Sequence, residues 1–173
     1  MLNYRMPIDY KGRNMKKHLD ALMKDRGIDG MFISGPGDHN PAMVYMSGGG
    51  HFTANVIKRA GDDPVIYCYT MEREEAARTG LRTVIHNIPK GGIKDLAAEY
   101  LWTLQEAGLD RGRICIYGKV ESGEFLAMFD ELKRIAPQFE FFGESDNPVL
   151  MQARATKEAY EIERIRSMGK ITT

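Results

Sequence analysis

Four histidines, His18, His39, His51 and His86, are the side chains of this 173-residue chain best suited to acid–base or metal chemistry near neutral pH. Asp38, His39 and His51 fall in one stretch, and two imidazoles with a carboxylate make a sensible donor set for a divalent metal. Nothing in their spacing forces them together, so the expectation is exposed loop histidines, or histidines facing a partner, rather than a metal site. No H-E-x-x-H and no C-x-x-C occurs, so a self-contained zinc site is not expected. Gly35-Pro36-Gly37 follows a strand-like run, as a phosphate-binding turn would. Pro36, however, removes an N–H the phosphate would need, and Asn40 stands where a dinucleotide fingerprint has its third glycine. Gly48-Gly49-Gly50 is followed by His51-Phe52 rather than Lys-Ser, so it is no P-loop. Ser34, Ser47 and Ser122 lack the nucleophile-elbow context. Glu72, Glu74 and Glu75 read as the solvated first turn of a helix rather than as paired catalytic carboxylates. The expectation is that this chain holds neither catalytic residues nor metal ligands of its own.

The elements that would position these residues follow from the pattern of apolar residues. A helix is expected over 11–26, with Met15, Leu19, Leu22 and Met23 on one face, Lys16, Lys17, Asp20 and Lys24 turned away, and His18 at the edge of the buried face. Gly27 stops it. Residues 30–34 form a continuous apolar strand, followed by a glycine-rich, mobile loop over 35–52 with a short turn of structure near 42–46. Strands 54–59 and 64–69 flank the turn formers Asp62 and Asp63 and read as an antiparallel hairpin. Thr70 is placed to cap a helix over 71–79. Strand 82–86, helix 93–104, strand 113–117, helix 125–136 and an edge strand over 139–142 complete the body. Segment 147–153 leads into a final helix that Thr156 can cap, with Glu158 and Glu161 early, Arg164, Arg166 and Lys170 late, and Ala159, Ile162 and Ile165 as an apolar stripe. The order implies an α/β fold with three layers, α/β/α, around a mixed sheet of five or six strands with helices on both faces.

Composition bounds the rest. Hydrophobic residues make up 43% and charged residues 28%, the balance of an ordinary folded domain. Lys plus Arg equals Asp plus Glu at 24 each, so no net field draws the chain to nucleic acid or to a membrane. Cys68 and Cys115 lie in apolar runs and are expected to be buried thiols. No apolar run is long enough to span a bilayer, the start lacks a signal-peptide core, and a cytoplasmic protein is expected.

Three segments together resemble one family. Leu22-Met-Lys-Asp-Arg-Gly27-Ile28-Asp29-Gly30-Met-Phe-Ile-Ser34 is similar to the opening helix, turn and first strand of the N-terminal domain of the creatinase, prolidase and aminopeptidase P group, the pita-bread metallopeptidases. Tyr45-Met46-Ser47-Gly48 resembles that family's Tyr-Leu-x-Gly element. Arg154-Ala-Thr-Lys157-Glu-x-x-Glu161-Ile162-x-x-Ile165-Arg166 resembles its signature at the junction with the catalytic domain. The sequence departs from the pattern over 36–43, where two prolines replace a short turn.

The resemblance implies a ribonuclease H-like N-terminal domain over 1–153 and a linker helix over 154–173 leading to a C-terminal catalytic domain absent from this chain. In the family that domain holds two divalent metal ions (Mn, Co or Zn) on two aspartates, a histidine and two glutamates, and no histidine follows His86 here. It implies a parent hydrolase, an Xaa-Pro aminopeptidase or dipeptidase, whose peptide substrate meets the missing domain. It also implies a homo-oligomer, a dimer, in which the loop after the first strand narrows access to a neighbouring active site. Tyr45, His51 and Phe52 are the substrate-access candidates, against the alternative of a surface loop packed on its own domain. Two other parents fit the same resemblance: a member that has lost hydrolysis and serves as a protein-binding module, and a creatinase-like amidinohydrolase.

Overall fold

The computed structural model describes residues 15–88, 91–157 and 159–172. Positions 11–14 of the first expected helix and Glu158 of the last lie outside the described residues, as do the side chains of Met15, Lys16, Lys17 and Arg164.

Helix α1 (Met15–Asp25) buries Leu19 and Met23 and leaves His18 exposed. It ends where Gly27 turns left-handed at φ 62°, and the Ile28 N–H donates to the Met23 carbonyl at 2.9 Å to close the stop. Strand β1 (Gly30–Pro36) follows, two residues longer than the apolar run implied. Helix α2 (Pro41–Ser47) interrupts the connection to β2 (Thr53–Arg59), which pairs antiparallel with β1 and with β3 (Val65–Cys68). The hairpin is therefore present as the turn formers required.

A 3-10 turn (Thr70–Glu72) and the short helix α3 (Arg73–Ala77) stand where one helix was expected over 71–79. Thr70 does not cap it; its hydroxyl donates to Asn87 Oδ1 at 3.0 Å instead. Next come β4 (Arg82–Ile85), α4 (Ile93–Glu106), β5 (Gly112–Gly118), α5 (Ser122–Ile135) and β6 (Phe139–Phe142). Helix α6 (Val149–Ala155) ends at an extended Thr156, and α7 (Ala159–Thr172) follows.

The strands form one six-stranded sheet in the order β4-β3-β2-β1-β5-β6, with β2 antiparallel to both neighbours and the remaining pairs parallel. Alternation along β1 sends Met31 and Ile33 to one face and Phe32 to the other. The first face is covered by Leu19 and Met23 of α1, Met43 and Met46 of α2, Ala76 of α3, and Val149, Leu150 and Ala153 of α6. Tyr100 and Leu104 of α4 with Met128 and Leu132 of α5 cover the second. Three layers with helices on both faces are thus observed. Cys68 and Cys115 are buried free thiols; burial pushes the Cys115 thiol up to about 12. Ile162, Ile165, Met168 and Ile171 of α7 are exposed. No helix among the described residues is long and apolar enough to cross a membrane.

Candidate functional site

Open α/β sheets bind ligands at the carboxyl ends of neighbouring strands whose connections leave to opposite faces. Here those strands are β1 and β5, followed by α2 on one face and α5 on the other. Backbone closes this crevice. The Lys119 N–H donates to the Ser34 carbonyl at 3.0 Å. A Cβ on Gly35 would lie 2.1 Å from the Lys119 carbonyl oxygen, and one on Gly118 2.1 Å from that of Ser34.

Beneath the closure runs a buried polar string. The Tyr100 hydroxyl donates to Ser34 Oγ at 2.6 Å, and Ser34 Oγ donates to Asn55 Oδ1 at 2.7 Å. Asn55, opposite Ser34 in register, reaches Glu99 Oε1 at 3.5 Å, and the Tyr69 hydroxyl donates to Glu99 Oε2 at 2.7 Å. Burial raises Tyr100 to about 12; burial, with the hydrogen bond to Glu99, also raises Tyr69. These phenols stay protonated near neutrality and serve as donors, not bases. At the opposite end of the sheet a cavity of about 220 Å³ is lined by Arg59, Asp62, Pro64 and Arg82 among others. Its two guanidinium groups are already engaged, Arg59 by Asp62 at 3.3 Å and Arg82 by Glu106 at 2.6 Å.

The loop over β1–β2 carries the three access candidates. Its neck is tight: the Gly37 N–H donates to the Phe52 carbonyl at 2.8 Å, and a Cβ on Gly37 would lie 2.2 Å from the Gly50 carbonyl oxygen. The short turn of structure expected near 42–46 within this loop is helix α2, and a helix start signal explains its place. Asn40 caps it, accepting from the Met43 N–H at 3.2 Å and donating to the Ser34 carbonyl at 3.1 Å, with Pro41 at the first helical position. Gly48, at φ 78°, terminates it.

This frame places the candidates differently. Phe52 is a core side chain, 3% exposed, and Tyr45 packs half-buried against the same core. His51 alone of the three points to solvent; its Nδ1 lies 3.0 Å from Asp38 Oδ1. Of the trio Asp38, His39 and His51, this is the contact formed, while His39 takes a left-handed φ of 53°. Among the described residues no three His, Cys, Asp or Glu side chains gather as a metal site. An Asp-oriented imidazole on a braced loop can accept or donate a hydrogen bond through Nε2, or carry a charge when protonated.

Sequence reasoning missed three other polar centres. Lys58 is buried against Asp20, His86 lies 3.7 Å from Glu99, and Glu144 joins Arg26, Tyr117 and the Val149 N–H. The available signal was charge inside apolar periodicity: Glu99 stands between Leu96 and Tyr100 on α4, and Lys58 ends an apolar strand.

A sequence profile described as Creatinase/Prolidase N-terminal domain matches residues 16–144. No curated protein matches in sequence. Among solved structures, a dipeptidase from Pyrococcus horikoshii OT3 is 17% identical with a TM-score of 0.60, covering 86% of this chain and 38% of its own. The X-Pro aminopeptidase from Thermotoga maritima MSB8 is 18% identical with a TM-score of 0.59 and the same coverages, 86% and 38%. The N-terminal domain of FACT complex subunit SPT16 from Cicer arietinum is 14% identical with a TM-score of 0.50, covering 86% of this chain and 39% of its own. At these identities the likeness is one of fold, and this chain spans well under half the length of those proteins.

Proposed function

Because this chain belongs to the creatinase/prolidase N-terminal domain family, we propose that it is the non-catalytic N-terminal part of a metal-dependent Xaa-Pro peptidase. Proline's tertiary amide resists most proteases, so a dedicated cleft is needed. In this reading two divalent ions (Mn, Co or Zn), held outside this chain, would supply water activation and polarisation of the scissile carbonyl. The described residues offer no donor set for them, so the reading assigns the ions to a C-terminal domain following the linker helix 154–173.

This domain's part is control of access and contact between subunits of a cytoplasmic homodimer. One observation carries that role: a loop braced at its neck by Gly37, Gly50 and Phe52 holds His51 outward with Asp38 fixing the ring. A rigid projecting imidazole suits the rim of a cleft, where it limits substrate length and meets a polar end of the peptide. Phe52 and Tyr45 support it from beneath. The balanced charge, 24 against 24, fits a peptide rather than a nucleic acid or membrane partner.

A second reading has a specific support. The same fold occurs in SPT16, a subunit of the FACT complex, which is named as part of an assembly and not as a peptidase. In that reading the domain binds a protein and no hydrolysis occurs. Assay of the intact gene product on Xaa-Pro peptides, with and without chelator, separates the two. Metal-dependent cleavage supports the first, and its absence with every metal supports the second.

A further inference from the structure

Asp38 and His51 are 66% and 86% exposed, and a pair that open to water returns at most about 1 kcal/mol. The turn that presents Asp38 costs as much. His39, an exposed residue with a Cβ, takes the left-handed φ of 53°, a conformation worth roughly 1–2 kcal/mol of strain. The turn's own hydrogen bond, from the Asn40 N–H to the Gly37 carbonyl, is long at 3.4 Å. The neck fixes Gly37 against Phe52, but not the path from Gly37 to Pro41. These terms leave Asp38 without a firm hold toward His51.

Asn40 supplies that hold from the core. The residue is 2% exposed, and both ends of its side-chain amide are used. Nδ2 donates to the Ser34 carbonyl at 3.1 Å, and Oδ1 accepts from the Met43 N–H at 3.2 Å. The carbonyl it grips is itself anchored. Ser34 lies in β1 between β2 and β5, and its carbonyl also accepts from the Lys119 N–H at 3.0 Å. Its hydroxyl is held by Tyr100 at 2.6 Å and Asn55 at 2.7 Å. Capping α2 needs only a side-chain oxygen, which Ser or Asp would also provide. The Nδ2 bond to the sheet is what asparagine adds.

We propose that Asn40 is a positioning residue for the candidate site: its amide bridge from the Ser34 carbonyl to α2 sets the turn over 37–40, and through it the place of Asp38 and the orientation of the His51 ring. Asn40 acts through Asp38 rather than on a substrate. Capping and positioning therefore separate in variants of this residue. Asn40→Ser keeps a capping oxygen but is too short to span to Ser34. Asn40→Asp keeps the cap and turns an acceptor, not a donor, toward the Ser34 carbonyl. The geometric role stands without the peptidase reading, and only its consequence for turnover rests on that reading.

The test is a double-mutant cycle read on the His51 ring by nitrogen NMR of the full 173-residue chain. Asp38→Asn is expected to shift the His51 Nδ1 resonance in the wild-type background. In the Asn40→Ser and Asn40→Asp backgrounds most of that response is expected to be lost. Amide protection of Ile33 and Val56 in the core strands should stay within about tenfold of wild type, the limit set by one buried hydrogen bond. A response that persists in Asn40→Ser shows that the cap suffices and overturns the proposal. So does a ring that Asp38→Asn leaves unmoved in the wild-type background, a measurement that needs no variant of residue 40 to fold. In the intact gene product, Asn40→Ser is expected to raise KM for Xaa-Pro peptides toward that of His51→Ala, with kcat on the shortest substrate little changed. A displaced ring with an unchanged KM supports the positioning role and counts against the access reading.

Discussion

Lys58, whose side chain is wholly excluded from solvent on β2, places its ammonium group against the carboxylate of Asp20 on α1. The ammonium also donates to the Arg59 carbonyl at 2.9 Å, and Asp20 accepts from the Gly61 N–H at 3.0 Å. One carboxylate thus ties the first helix both to the sheet and to the β2–β3 turn. The two partners are not equivalent, because Asp20 keeps 27% of its side chain in water. Asp20→Ala strands a buried cation and is expected to cost about 3–5 kcal/mol. Lys58→Met fills the same space, leaves the aspartate partly hydrated, and is expected to cost under about 1.5 kcal/mol. Urea denaturation of both variants checks the asymmetry; equal losses would refute it.

That pair also marks the limit of what could be read beforehand. The order of elements was legible because period governs burial: Met31, Phe32 and Ile33 alternate between two cores, and Leu19 and Met23 repeat at helical spacing. Gly27 and the Asp62–Asp63 turn announced themselves by backbone chemistry. Lys58 did not, since an amine at the end of an apolar strand looks like a solvated terminus until α1 is laid over it. Helix α2 was legible as a short turn near 42–46 and no more, because glycines and prolines flank it, although Asn40 followed by Pro41 is a start signal. At the candidate site Tyr45, His51 and Phe52 read alike as groups the loop could project, and of the three His51 is the one that does. Its pairing with Asp38 depends on the neck formed by Gly37 and Gly50, which no local pattern encodes.

The closed crevice makes Gly118 intolerant of any side chain. It sits at φ 138°, and a Cβ there would lie 2.1 Å from the Ser34 carbonyl oxygen, which is backbone and cannot swing away. Gly118→Ala is expected to cost about 3 kcal/mol or more, combining strain with a forced separation of β1 from β5. Gly49, at φ 98° with nothing within 4 Å, supplies the control. Gly49→Ala should lose only about 1–2 kcal/mol. Thermal melting of the two variants reads the difference, and a Gly118→Ala variant as stable as Gly49→Ala would contradict it.

Glu144 predicts an acid limb of stability. Burial alone would push its carboxyl up, but the Tyr117 hydroxyl, the Val149 N–H at 2.8 Å and the Arg26 guanidinium outweigh burial and hold it below the ordinary glutamate value. A group depressed on folding contributes stability above its unfolded value, about 4.3, and that contribution is lost as pH falls through the folded value. Urea midpoints measured from pH 6 downward, on the order of 0.5 pH steps, should fall more steeply for wild type than for Glu144→Gln. Parallel curves would show that the carboxylate is not linked to folding.

His51 is the sharpest test of the access role, because it can be removed without touching the fold. Its side chain is 86% exposed, and its partner Asp38 is 66% exposed, so the pair contributes little to stability. His51→Ala and Asp38→Asn should each shift the unfolding free energy by less than about 0.5 kcal/mol. In the intact gene product the proposed peptidase should respond differently. His51→Ala should raise KM for Xaa-Pro peptides and relax discrimination against longer ones, while kcat on the shortest substrate changes little. Asp38→Asn should give a weaker version of the same shift, since it loosens the ring without deleting it. Phe52→Ala, by contrast, empties a core site and should cost about 3–5 kcal/mol. Its effect on turnover would therefore follow unfolding rather than access. If His51→Ala leaves KM and length preference unchanged in an active enzyme, the loop is only a surface of its own domain.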